Sequence, residues 1–258
     1  MHETLGLTGW NPPSGPRARV WLGVRVHHEP EPRAARRVLA FLKGSASIPR
    51  TRWTARQFWR PTPGSVFSLL LGLTLFGVGE ALLLVADLGA TPWTVLAQGL
   101  SVRTGISIGW VTFAVSTVVL LAWIPLRQKP GLGTLANIVV IALVLDLAYS
   151  WLPVPQGLPL RYAAVLLGIG LIGLGSGFYL TAGHGPGPRD GWMTGLHHRT
   201  GRPVAQIRLV IEVCVLVAGW LLGGTVGIGT ALFALLIGQS VALGLTVVRH
   251  VVPPAQHA

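Results

Sequence analysis

Hydrophobic residues gather into six long runs, at residues 65–87, 106–126, 132–152, 160–183, 204–222 and 227–248, separated by short polar or glycine-rich stretches. Each run is near the ~20 residues that a helix needs to cross about 30 Å of hydrocarbon. Lipid cannot satisfy bare peptide groups, so a helix is the expected form of every run. The pattern predicts an all-α polytopic membrane protein with six transmembrane helices.

Two stretches stand apart from that pattern. Residues 86–105 read ADLGATPWTVLAQGLSVRTG and follow the first run; residues 182–201 read AGHGPGPRDGWMTGLHHRTG and follow the fourth. They overlay without a gap at an offset of 96 positions. Ala86, Gly89, Pro92, Gly99, Leu100, Arg103, Thr104 and Gly105 recur as Ala182, Gly185, Pro188, Gly195, Leu196, Arg199, Thr200 and Gly201. The offset holds outward, from Gly72, Gly77 and Gly79 to Gly168, Gly173 and Gly175, and from Gly131, Gly133 and Thr134 to Gly227, Gly229 and Thr230. An internal repeat of this kind defines the architecture. It divides the chain into a tail (1–64), two three-span repeats (65–158 and 159–251) and a short C-terminus (252–258).

Both stretches carry the punctuation of a short helix. Thr91 and Pro92 read as N-cap and first helical residue, with Gly105 as the stop. In the second, Gly187 and Pro188 open, Asp190 sits near the positive end, and Gly201 stops. About 13 residues at 1.5 Å each give roughly 20 Å, too short to cross. Two forms are open: an amphipathic helix lying in each interface, or a re-entrant half-helix whose N-terminal N–H groups face a solute near mid-depth.

Charge supplies the orientation. Of 258 residues 11% are charged, and residues 1–64 hold +8 of the net +12. That tail is proline-broken with scattered arginines, so it is expected to be disordered and cytoplasmic. Its stretch 52–60 mixes arginine with aromatic residues and suits an anionic headgroup layer. Basic residues also collect in the 2–3 and 4–5 connections and after the sixth span, which places both termini inside. Three spans per unit then force the second unit to enter from the opposite face: two inverted repeats, as in secondary transporters. Trp110, Trp123, Trp151 and Trp220 fall at span ends, where amphipathic rings prefer the interface.

Ionisable groups inside the spans are few and break the repeat. Glu80, Asp146, Arg208 and Glu212 align with Ser176, Ala242, Thr112 and Ser116. A charge in lipid costs roughly 3 kcal/mol, so each needs a partner or water. They form a candidate intramembrane charge network, in which Arg208 and Glu212, four apart, pair. Candidate solute contacts are Arg189, Asp190, Pro188 and Gly191 at one half-helix start, with Thr91 and Pro92 at the other. His184, His197 and His198 have no metal-ligand spacing, and neither metal nor cofactor is expected. Nor is a catalytic residue: there is no phosphate loop and no nucleophile–base arrangement, so the chain does not read as an enzyme. The lone Cys214 lies in an apolar run and reads as a packing residue.

Several motifs resemble one group of proteins. G-x-G-E-A-L at residues 77–82, L-G-A-T-P-W-x-V-L-x-Q-G-L-S-x-x-T-G at 88–105, P-G-L-G-T-L-A-N at 130–137, G-P-G-P-R-D-G at 185–191 and G-G-T-V-G-I-G-T at 223–230 are similar to the YczE/YyaS/YitT bacterial integral membrane proteins. The resemblance spans about residues 67–246 and implies a bacterial cytoplasmic-membrane protein, with no substrate or catalytic residues to carry over. The expected partners are the lipid bilayer and a small polar or anionic solute; a homo-oligomer is compatible, and no nucleic acid is expected. The function these features predict is a small permease. The alternative is a non-transporting scaffold or regulator acting through the tail.

Overall fold

The computed structural model describes residues 48–254; most of the expected tail, residues 1–47, and residues 255–258 lie outside the described part. The described residues form eight helices: α1 (Pro63–Ala86), α2 (Pro92–Thr104), α3 (Ile108–Leu121), α4 (Leu132–Trp151), α5 (Leu158–Thr181), α6 (Pro188–Thr200), α7 (Val204–Leu221) and α8 (Ile228–Val251). Helices α1, α4, α5, α7 and α8 are long and apolar enough to cross a membrane. The remaining span, α3, holds 14 residues, about 21 Å of helix, and is shorter than the run at 106–126 predicts. Its helical bonding loosens at Ala122 into consecutive turns, with Trp123 N–H to Leu120 O and Ile124 N–H to Leu121 O. Helices α2 and α3 meet at a bend of 119°.

Helix starts repeat at the predicted offset. Pro92, Ile108 and Leu132 open α2, α3 and α4; Pro188, Val204 and Ile228, each 96 positions on, open α6, α7 and α8. Both half-helices have 13 residues and end on a left-handed glycine, Gly105 at φ 70° and Gly201 at φ 69°. Only a residue without Cβ takes that conformation freely.

Helices α1 and α5 form the centre and run antiparallel. Gly72 lies against the backbone of Gly175, and Gly79 against that of Gly168. The four glycines are two repeat-related pairs, so the contact exchanges with itself when the repeats are swapped. Absence of side chains lets the backbones touch, the usual way for helices to associate without a hydrophobic drive. Within each repeat the third span packs on the first through a further equivalent pair, Gly77 on Val144 and Gly173 on Ser240.

The connections into the half-helices exchange in the same manner. Gly133 N–H donates to His184 O at 2.9 Å, and Gly229 N–H to Leu88 O at 2.6 Å. Thr134 Oγ1 donates to Pro186 O at 2.8 Å, and Thr230 Oγ1 to Ala90 O at 3.0 Å. Each loop is therefore held by the start of the other repeat's last helix. These loops are non-helical backbone inside a bundle, and such backbone persists there only when its polar groups are bonded.

Within the described end of the expected tail, Thr51, Arg52, Ala55 and Phe58 bond to the bundle. Thr51 bridges to Pro254, and Ala55 N–H donates to Ala182 O at 2.9 Å. Buried His184 pins the segment to α1, with Nδ1 at 3.1 Å from Phe58 O and Nε2 at 2.9 Å from Ser65 Oγ. The prolines that argue against helix here do not argue against a strap whose peptide groups bond to other elements.

Candidate functional site

The two half-helices enter the bundle N-terminus first. Residues 90–95 are all buried, whereas 102–105 are exposed; in α6, Gly187 and Pro188 are buried and 198–201 exposed. A helix lying flat on an interface buries one face along its length. Burial is weighted toward the N-terminal end of both helices, although in α6 Asp190 is exposed while Met193 and Gly195 further along are buried. Thr91 caps α2 by accepting Thr94 N–H at 3.3 Å. The first turn of α6 has no side-chain cap from its N-cap residue, Gly187.

A cavity of about 170 Å³ separates the two N-terminal ends. Its wall takes both members of repeat-related pairs: Glu80 and Ser176, Thr91 and Gly187, Pro92 and Pro188, Trp93 and Arg189, Ser116 and Glu212. The scaffold around the cavity is thus duplicated, and the chemistry on it is not. An engineered cavity of roughly 150 Å³ holds one benzene, so the space suits a solute of a few heavy atoms.

Glu80 of α1 forms the closed end. It is 2% exposed and accepts from the hydroxyls of Thr91, at 3.2 and 3.3 Å, and of Thr94. Between those threonines stands Trp93, with the Arg189 guanidinium carbon 5.0 Å from its ring centroid. That is a cation–π distance. No carboxylate lies within ion-pairing distance of Arg189: the two salt bridges among the described residues are Arg161–Asp87 and Arg208–Glu212. Asp190 accepts from Tyr179 Oη at 2.7 Å. Arg208 and Glu212 pair along α7 at 2.9 Å. The cavity reaches the surface on this side, where Asp190 is exposed and the Arg208 side chain is 48% exposed. Helix α3 packs along α4, but its counterpart α7 makes little contact with α8, which leaves the opening between them.

Of the residues singled out by sequence, Thr91, Pro92, Pro188, Arg189, Asp190, Glu80, Arg208 and Glu212 come together on this wall. Two do not. Gly191 points away from the cavity and lies under the ring of Trp123. Asp146 belongs to a different place: it accepts from Ser107 Oγ and Gly109 N–H, both at 3.0 Å, and so caps the start of α3 from α4. That corrects its inclusion in a charge network. Trp123 is a further correction. Trp110, Trp151 and Trp220 are exposed as expected of interfacial rings, but Trp123 is 2% exposed and donates Nε1–H to Pro188 O at 2.8 Å. It holds the first turn of α6 in place. Sequence reasoning also missed Trp93, Tyr179 and Asn137 as cavity residues. The signal was present for Trp93, which occupies the repeat position of Arg189.

A profile described as a family of unknown function, DUF6198, matches residues 64–245. An uncharacterized protein of Haemophilus influenzae is 43% identical over 203 residues, 79% of this chain and 93% of the relative. The uncharacterized membrane protein YczE of Bacillus subtilis is 33% identical over 169 residues, 65% of this chain and 79% of the relative. The uncharacterized protein YyaS of the same organism is 28% identical over 188 residues, 70% and 92% of the two chains. No solved structure matches the chain significantly.

Proposed function

The chain belongs to the DUF6198 family, and from that premise we propose that this multi-pass membrane protein is a small bacterial inner-membrane permease, not an enzyme. In this reading two three-span repeats of opposite orientation enclose one site for a small polar or anionic solute. The observation that carries it is the cavity wall, which takes equivalent positions from both repeats. Equivalent surfaces meet in this way only about the axis that relates the repeats. The antiparallel contact of α1 and α5 supports an axis that runs across the helices, within the plane of a membrane they would span. A site on such an axis lies at mid-depth, equally far from both faces, and exchanging the conformations of the two repeats exposes it to the other side.

Arg189 and the N-terminal turns of α2 and α6 are the groups assigned to the solute. Thr91, Pro92 and Pro188 shape the first turns, Asp190 orients α6 through Tyr179, and the Arg208–Glu212 pair lines the mouth. The test is uptake by proteoliposomes of labelled nitrate, lactate, phosphate, glycine and urea. The expected result is uptake of one class above protein-free liposomes, lost in Arg189→Ala with the protein still folded. Rates equal to protein-free liposomes for the whole panel, with a folded and correctly inserted protein, would overturn the permease and favour the scaffold.

A further inference from the structure

The cavity wall contains two kinds of polar group, and their states differ. The acceptors are engaged: Glu80 takes the hydroxyls of Thr91 and Thr94, and Asp190 takes that of Tyr179. The donors are not. Arg189 lies on Trp93 without an ion pair. The Trp93 ring, 5% exposed, carries a buried indole N–H with no acceptor. An arginine fork presents five N–H donors and matches planar oxyanions. Buried donors in a native structure are rarely left alone. An occupant that satisfies these groups brings acceptor oxygens, and a guanidinium without an ion pair favours one that also carries negative charge.

Charge then limits what crosses with it. The charged and titratable groups on the wall are Glu80 of α1, Tyr179 of α5, Arg189 and Asp190 of α6, and Arg208 and Glu212 of α7; α2, α3, α4 and α8 contribute none. Arg208 and Glu212 neutralise each other. The positive ends of α2 and α6 and Arg189 together offset Glu80 and Asp190, each helix end counting for about half a charge. Adding an anion to this balanced site leaves an uncompensated negative charge close to the buried Glu80 carboxylate, which is costly. The group able to remove it is Glu80. Its carboxylate accepts from Thr91 and Thr94, the residues that bracket Trp93 in the first turn of α2, and Arg189 lies on the Trp93 ring.

We propose that the cavity binds a small mono-anionic oxyanion at Arg189 and the Trp93 indole N–H, and that Glu80 takes up one proton as the anion enters. The two cross together. One anion and one proton are taken from one side and released on the other, no covalent bond of the solute changes, and net charge moved is zero. This rests on the permease reading and adds to it the solute class and the coupling ion.

The test uses full-length protein in detergent, titrated with nitrate and with lactate, with sulfate as the dianionic control, at pH 5.5 and 7.5. Binding is read as a concentration-dependent rise in thermal midpoint. Expected is binding of at least one mono-anion, tighter at the lower pH by up to about tenfold per pH unit, the limit for one linked proton. Glu80→Gln, a neutral isostere of the protonated acid, is expected to hold the affinity at its low-pH value at both pH values. Arg189→Gln is expected to lose binding. A Glu80→Gln protein whose affinity still follows pH would overturn the role of Glu80. An anion bound and transported at a pH-independent rate would overturn the proton and leave the permease standing. Binding of none of the three anions, with a neutral solute transported, would overturn the anion class alone.

Discussion

Trp93 and Arg189 occupy the same position in the two repeats and lie on each other, the guanidinium carbon 5.0 Å from the ring centroid. Residues related by a swap of repeats touch one another only close to the axis of that swap. The contact therefore marks the centre of the molecule, and it is where the duplicated scaffold carries two different chemistries: a flat ring on one side and a cation on the other. Duplication supplies the space, and divergence at a few positions gives its two sides different chemistry.

Trp123 is the structural support of that centre. Its ring fills the space above Gly191, and its Nε1–H holds the Pro188 carbonyl. Trp123→Phe keeps most of the ring and strands a buried carbonyl, a loss of about 1–3 kcal/mol. Trp123→Ala also opens a cavity, a loss of about 3–5 kcal/mol. Thermal or denaturant unfolding in a mild detergent would rank wild type, Phe and Ala in that order; equal stability of all three would show that the α6 start is held elsewhere.

The glycine crossing of α1 and α5 admits a paired comparison. A Cβ at Gly168 meets the Gly79 carbonyl, whereas one at Gly170, two residues on, meets nothing within 4 Å. Gly168→Val is expected to cost about 1–3 kcal/mol through overpacking, and more if the helices separate. Gly170→Ala is expected to be neutral or to stabilise by up to about 1 kcal/mol through helix propensity. The contrast is read from thermal midpoints, and a reversed order would contradict the antiparallel contact.

Asp146 separates capping from transport. Its carboxylate caps α3 and is remote from the central cavity. Asp146→Ala is expected to cost about 1 kcal/mol, the ordinary value of an N-terminal cap, without changing solute binding. Loss of binding in a folded Asp146→Ala protein would return it to the functional network.

The strap at residues 51–62 makes the N-terminal boundary measurable. Removal of residues 1–47 deletes none of the contacts described. Removal of residues 1–61 also deletes the Ala55–Ala182 bond and the Phe58 contacts of His184 and Leu132. The longer deletion is expected to lower the thermal midpoint by several degrees relative to the shorter one. Equal midpoints would mean that the strap contributes nothing to the bundle.

Much of this architecture was legible in the sequence because it rests on local chemistry. Proline after Thr91 and Gly187 starts a helix, and Gly105 and Gly201 stop one, whatever surrounds them. The offset of 96 then placed the later helices of one repeat on those of the other. What remained hidden depends on which helices cross. Trp123 sits near a span end like Trp110 and Trp220, and nothing along the chain separates a ring that faces lipid from one that faces Gly191. Asp146 and Glu80 are each a single acid in an apolar run. One caps a neighbouring helix and the other closes the cavity, a difference made by the loops that approach them. The strap was missed because proline and arginine argue against helix, and its bonds to Leu132, Ala182, His184 and Pro253 go to residues far along the chain.

The account stands or falls on the repeats facing opposite ways. Thr104 and Thr200 are repeat-related, exposed, and end the two half-helices. Each is replaced by cysteine in turn in a Cys214→Ala background and probed in sealed, oriented vesicles with a membrane-impermeant thiol reagent. The account predicts that one cysteine labels only from outside the vesicle and the other only after the interior is opened. Labelling of both cysteines from the same side would contradict it.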